Sequence, residues 1–198
     1  MELSAYCFIF LRPLQFNMSR FTKIGFILLL LVAIGIAACN KFEKFPDEPV
    51  IKYDRFILMV NPTNGITERG VLQFSYTDGD GDLGLRDADT DPPFNFGGDY
   101  YYNLIIKYFE KQNGHFVEVP LLSWNPDSLY YDTLTFNGRF PVLTPRTGNL
   151  SIKGVFQDTL YIYNPLSDFD TIKFRAYIYD RALHKSNEIE TGEIIRVN

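Results

Sequence analysis

Histidine and cysteine are scarce in this 198-residue chain, at two residues each. With only His115 and His184, an imidazole-rich zinc centre is not expected. Cys7 falls inside an N-terminal apolar segment, so once that segment is set aside Cys39 stands alone and no internal disulfide can form. Positive charge is also short: 19 Lys and Arg against 24 Asp and Glu give a formal net charge of −5. That balance argues against nucleic acid or an anionic lipid surface as a partner. No GxSxG, HExxH or phosphate-cradling glycine loop occurs, so the common signatures of acyl transfer, zinc hydrolysis and nucleotide binding are missing. Long segments of 3.6-residue periodicity, internal repeats and low-complexity tracts are absent as well.

Only one long hydrophobic run exists. Residues 24–38, IGFILLLLVAIGIAA, form fifteen unbroken apolar or glycine residues. A membrane-spanning helix needs ~20, so the run is short for a span and suits the core of a signal peptide. Arg20 and Lys23 supply the basic flank, and Ala37 and Ala38 close the run with small side chains. Ile36-Ala37-Ala38-Cys39 then resembles the lipobox of bacterial lipoproteins, whose cysteine becomes the acylated N-terminus. The expectation is a signal peptide over 1–38, lipidation at Cys39, and a charged, proline-broken tether through residue 48. Each buried methylene of an attached acyl chain contributes roughly 0.8 kcal/mol to membrane anchoring. Met18-Ser-Arg-Phe-Thr-Lys opens a complete signal peptide by itself, so translation is expected to begin there and residues 1–17 to be a mis-assigned start. Without residues 1–38 the chain holds 16 Lys and Arg against 23 Asp and Glu, a net charge of −7.

The remaining residues, 49–198, suit one domain. Eleven prolines and several Asn-Gly, Asp-Gly and Thr-Gly pairs punctuate segments that read as strands. These are expected at 51–60, 71–77, 100–110, 115–119, 134–142, 150–163, 171–179 and 188–197. In 71–77, Leu72, Phe74 and Tyr76 alternate with more polar neighbours; in 171–179, Ile172, Phe174, Ala176 and Ile178 oppose Lys173 and Arg175. Lys-Gln-Asn-Gly at 111–114 gives a hairpin turn. The pattern predicts an all-β, immunoglobulin-like antiparallel β-sandwich, with a small barrel as its rival.

The most distinctive segment is TDGDGDLGLRDADTD at 77–91. Asp78, Asp80, Asp82, Asp87, Asp89 and Asp91 crowd around one Arg86. Calcium takes six to eight oxygen ligands, and Asp alternating with Gly lets a short loop curl carboxylates around one point. The match to an EF-hand loop is partial, because Leu83 stands where the turn glycine belongs. If 71–77 and 171–179 are the second and sixth strands of a sandwich, their following loops share one end, which brings Asp180 toward the aspartate run. The expectation is calcium held by Asp78, Asp80 and Asp82, with Asp87, Asp89 or Asp180 completing the shell. An ordinary solvated acidic turn is the alternative.

Taken together, the lipobox, TDGDGDLGL at 77–85 and AYIYDRALHKSNEIET at 176–191 resemble a group of uncharacterised lipoproteins of Bacteroidota. The resemblance implies outer-membrane anchoring through lipid, facing the periplasm or the cell surface, and an immunoglobulin-like domain; it implies no activity. The function expected is a non-enzymatic binding or structural module of the cell envelope whose partner is an envelope protein or a glycan. As an alternative, a glycan-binding component of a nutrient-uptake system would stack sugar rings on Trp124, Tyr130 and Tyr131 in LLSWNPDSLYYD. The reading preferred for these aromatics is core packing, since a disulfide-free sandwich builds its interior from Phe and Tyr. Crowded aspartates beside glycines read as cation ligands rather than an acid–base pair, so catalysis is not expected.

Overall fold

A computed structural model describes residues 44–143, 151–164 and 166–197, together with Gly25 and Leu29. Apart from those two positions, the expected signal peptide, the Met18 start and Cys39 lie outside the described residues.

The described residues form ten strands: β1 Val50–Val60, β2 Thr67–Asp78, β3 Leu104–Gln112, β4 His115–Glu118, β5 Leu121–Asn125, β6 Tyr130–Leu134, β7 Ile152–Tyr161, β8 Thr171–Ile178, β9 Ile189–Glu190 and β10 Ile194–Ile195. One sheet runs β1-β2-β7 and the other β10-β8-β3-β4, with β9 also on β8. Every pairing is antiparallel. Strand β2 therefore sits between its neighbours in one sheet and β8 in the other, the places expected of the second and sixth strands of an immunoglobulin-like sandwich.

Period-2 patterning builds the interior. Leu72, Phe74 and Tyr76 of β2 face Leu104, Ile106 and Tyr108 of β3 and Ile172, Phe174 and Ile178 of β8 across one buried cluster. Phe140 fills its middle, with ring centroids 4.5 Å from Phe156, 5.4 Å from Tyr76 and 6.4 Å from Phe74. A buried polar group closes one side of this core. Arg196 donates to the carbonyls of Ile162 and Phe169 and pairs with Glu110, which also accepts from Tyr108, Asn164 and Ser167.

Three expected strands differ in the structure. The segment 134–142 is not a ladder strand; the chain instead forms the β5–β6 hairpin and then crosses in irregular conformation. There Asn137 Oδ1 accepts the Ile106 N–H, and Gly138 exchanges two backbone hydrogen bonds with Leu104. A side chain has taken over a bond that a strand carbonyl would have made. The last strand is split into β9 and β10, because Thr191 Oγ1 accepts the Phe174 N–H in place of a main-chain carbonyl. Strand β3 starts at Leu104 rather than residue 100. Asn103 just before it is fully buried, accepting from the Phe140 N–H and donating to the Tyr179 carbonyl.

A candidate metal centre at the end of two strands

Asp78 is the last residue of β2, and Asp180 follows β8 after one intervening tyrosine. An isolated antiparallel bridge between Leu83 and Asp180 ties the two loops together. The turn between them and β2 is shaped by glycine. Gly81 takes a φ of 71°, a left-handed conformation that side chains rarely adopt. At Gly79 a Cβ would run into the Phe45 and Pro46 carbonyls, so the segment leading into β1 passes directly over the loop.

This turn folds the carboxylates of Asp78, Asp80 and Asp82 inward, each offering an oxygen within 4.8 Å of the others. Asp78 is 0% exposed. Its Oδ2 accepts the Leu83 N–H at 3.0 Å, while Oδ1 is buried with no hydrogen-bond partner among the described residues. Asp82 repeats the pattern: Oδ2 accepts the Ala182 N–H at 3.1 Å, and Oδ1 is buried and unpartnered. Asp80 Oδ1 accepts weakly from the Asp82 N–H at 3.4 Å. Burial pushes the Asp78 carboxyl up to about 7 against the pull of the Leu83 N–H, and the charges of Asp80, Asp82 and Asp180 add to the rise. Asp82 is raised for the same reason, burial first and then Asp180 and Asp80.

An unpaired buried carboxylate oxygen costs several kcal/mol unless a charge or donor meets it. Two of them beside a third carboxylate form an oxygen-only, negatively charged concavity. The donor set fits a hard divalent cation; three carboxylates leave main-chain oxygens and water to fill a shell of six to eight.

The other expected ligands are placed differently. Asp180 is also 0% exposed and close enough to raise the pKa of Asp78 and Asp82, but its own carboxylate is engaged by the backbone N–H of His184 at 2.7 Å and by the ring Nδ1 at 2.9 Å. Asp89 turns away from the cluster. It forms a two-pronged pair with Arg181 and accepts the Arg86 N–H at 2.7 Å, and these donors hold its carboxyl down to about 2. Asp87 is exposed and lines a separate cleft with Thr90, Phe96 and Tyr101.

Two arginines organise the long β2–β3 loop, and neither was singled out from sequence. Arg181 latches it through Asp89. Arg139 donates to the carbonyls of Arg86, Asp89, Phe94 and Tyr101 at 2.8–3.2 Å, stitching residues 86–101 to the core crossing. Arg181 was within reach of the expectation that Asp180 approaches this loop; a lone Arg139 fifty residues downstream gives no local signal.

The expected core role of the LLSWNPDSLYYD aromatics is overturned. Trp124, Tyr130 and Tyr131 are 51%, 75% and 48% exposed, on a hairpin paired to neither main sheet. Comparison with protein-family models, curated proteins and solved structures finds no match for the chain.

Proposed function

We propose that the chain is a lipid-anchored protein of the bacterial outer membrane, in the manner of the Bacteroidota lipoproteins it resembles. Its sandwich serves as a non-enzymatic binding or structural module, stiffened at one end by calcium. One observation carries the metal reading: the unpartnered buried oxygens of Asp78 and Asp82 converge with Asp80. Calcium would be held there by Asp78, Asp80 and Asp82. Because Asp82 also accepts from Ala182 after β8, the bound ion would hold the β2–β3 loop against the loop that follows β8. Carboxylates used as cation ligands leave no free acid–base pair in this cluster, which is why the reading is structural rather than catalytic.

The purified protein in a chelator, titrated with calcium while its melting temperature is followed, tests this. A ligand at ~100 times its dissociation constant adds about 2.7 kcal/mol, and at about 2–4 °C per kcal/mol for a domain of this size the melt should rise by roughly 5–11 °C. Magnesium, which demands a tight octahedral shell, should do less. An unchanged melt at millimolar calcium refutes the site. The anchor is tested separately: a Cys39→Ser protein should take up no labelled fatty acid where the wild type does, and equal labelling of the two would overturn it.

A further inference from the structure

The β5–β6 hairpin is costly to display. An isolated two-stranded ribbon is marginal in water, yet this one stands outside both sheets, and all five residues of β6 are exposed. Against it lie the end of β7 and the residues beyond. Together they enclose a cleft of about 300 Å³ lined by Leu122, Ser123, Trp124, Tyr131, Tyr161 and Tyr163, with two leucines at its margin. That volume is at the lower end of small-ligand sites.

Ring faces dominate the lining. The Trp124 and Tyr131 rings meet edge to face at 5.1 Å, as do Tyr161 and Tyr163 at 6.5 Å, and Trp124, Tyr131 and Tyr161 are exposed. The indole N–H and the three phenol hydroxyls have no hydrogen-bond partner among the described residues. At this exposure water reaches these tips, and a ligand entering the cleft can replace it. No lining residue is charged, and the hairpin from Leu121 to Leu134 carries Asp127 and Asp132 but no Lys or Arg. Beside Tyr161 the charge of Arg69 is opposed by Glu68, so no net positive field favours a phosphate.

Apolar faces edged by uncommitted hydroxyl and N–H groups, in a small uncharged cleft, match a pyranose ring: C–H groups on its face and hydroxyls at its rim. We infer that the cleft between the β5–β6 hairpin and the end of β7 binds an uncharged carbohydrate, with Trp124 and Tyr131 as the stacking platform and Tyr161 and Tyr163 as rim donors and acceptors. This goes beyond the calcium reading and shares no residue with it.

Trp124 is the chain's single tryptophan and therefore its own reporter. Membrane-purified full-length protein would be titrated with neutral hexasaccharides of glucose, xylose and mannose while Trp emission is followed. At least one sugar should give a saturable shift with millimolar or tighter affinity, weakened about tenfold by Tyr161→Ala. Tyr161→Phe, which keeps the ring, should weaken it by only about threefold and covers the case where the alanine variant misfolds. No shift with any sugar at about 10 mM overturns the assignment. So does a shift given by a proline-rich peptide and not by sugars, or a dimer that Trp124→Ala dissolves.

Discussion

Replacing Asp78 by Asn should stabilise the calcium-free protein and cripple its response to calcium, two effects of opposite sign from one atom's charge. The amide keeps an Oδ1 acceptor for the Leu83 N–H, now 3.0 Å from the carboxylate, so the local turn survives. The charge does not survive. Without calcium, burial holds the Asp78 carboxyl up at about 7 against an ordinary 3.8, and each tenfold change in its ionisation corresponds to about 1.4 kcal/mol. Above pH 7 the folded protein thus carries an ionisation penalty of at most about 4 kcal/mol, and relaxation and water around the half-buried Asp80 and Asp82 reduce it to about 2 kcal/mol. The Asn variant escapes that penalty, and its melt in chelator at pH 8 should rise by about 4–8 °C.

Calcium reverses the ranking. The wild type gains the binding term, while the variant has lost one of three clustered carboxylates, so its melt should move little and the two proteins exchange order. The pH dependence follows from the same shift. Because the folded pKa is raised, the empty wild type is favoured below pH 4, loses stability as pH climbs through about 7, and is level above it. That slope should shrink in the Asn variant, leaving the part owed to the raised carboxyls of Asp82 and Asp180, and be suppressed by saturating calcium, which holds Asp78 ionised. Thermal melts followed by far-UV circular dichroism, in chelator and in millimolar calcium from pH 4 to 8, record all of this. A variant less stable than wild type in chelator would refute the reasoning, since it would mean that the carboxylate serves the fold through its hydrogen bond alone.

Two further outcomes are expected. Arg196→Met strands the Glu110 carboxylate in the core, and urea unfolding should show a loss of about 3–5 kcal/mol, partly recovered by adding Glu110→Gln; full stability in the single variant would show that the pair is replaceable. Asp89→Asn breaks the pair with Arg181 but leaves the three clustered carboxylates of Asp78, Asp80 and Asp82 in place. It should speed proteolysis within residues 86–101 and leave the calcium midpoint within about threefold, whereas a lost calcium response would return Asp89 to the site.

How much of this was legible depends on how local each cause is. Alternation in 71–77 and 171–179 identifies β2 and β8, because burial on one face leaves a period-2 trace in the residues themselves. The Asp78, Asp80 and Asp82 cluster was equally visible, since a turn made of Asp and Gly brings its own carboxylates together. The pairing of Asp89 was not legible, because its carboxylate is claimed by Arg181, ninety-two residues away. The same holds for the segment 134–142, which reads as a strand but is diverted when Asn137 takes the Ile106 N–H.

Polar side chains repeatedly replace ladder groups in this fold. Asn187 both accepts from and donates to the Ile51 backbone, Asn103 joins the Phe140 N–H to the Tyr179 carbonyl, Ser186 accepts from Ile178, and Thr191 accepts from Phe174. In sequence each of these residues signals a turn. Whether it ends a strand or fastens one depends on a backbone far along the chain, so its type marks where regular pairing fails without saying what replaces it. The aromatic cleft is hidden for the same reason. Trp124 and Tyr131 are close in sequence, but Tyr161 and Tyr163 reach them only because β7 pairs with β2 and the hairpin is left outside both sheets. Composition alone cannot separate sixteen per cent aromatics that fill a core from the few that line a surface; the separation needs the sheet order, which makes the hairpin an addition to the sandwich and leaves its rings free for a ligand.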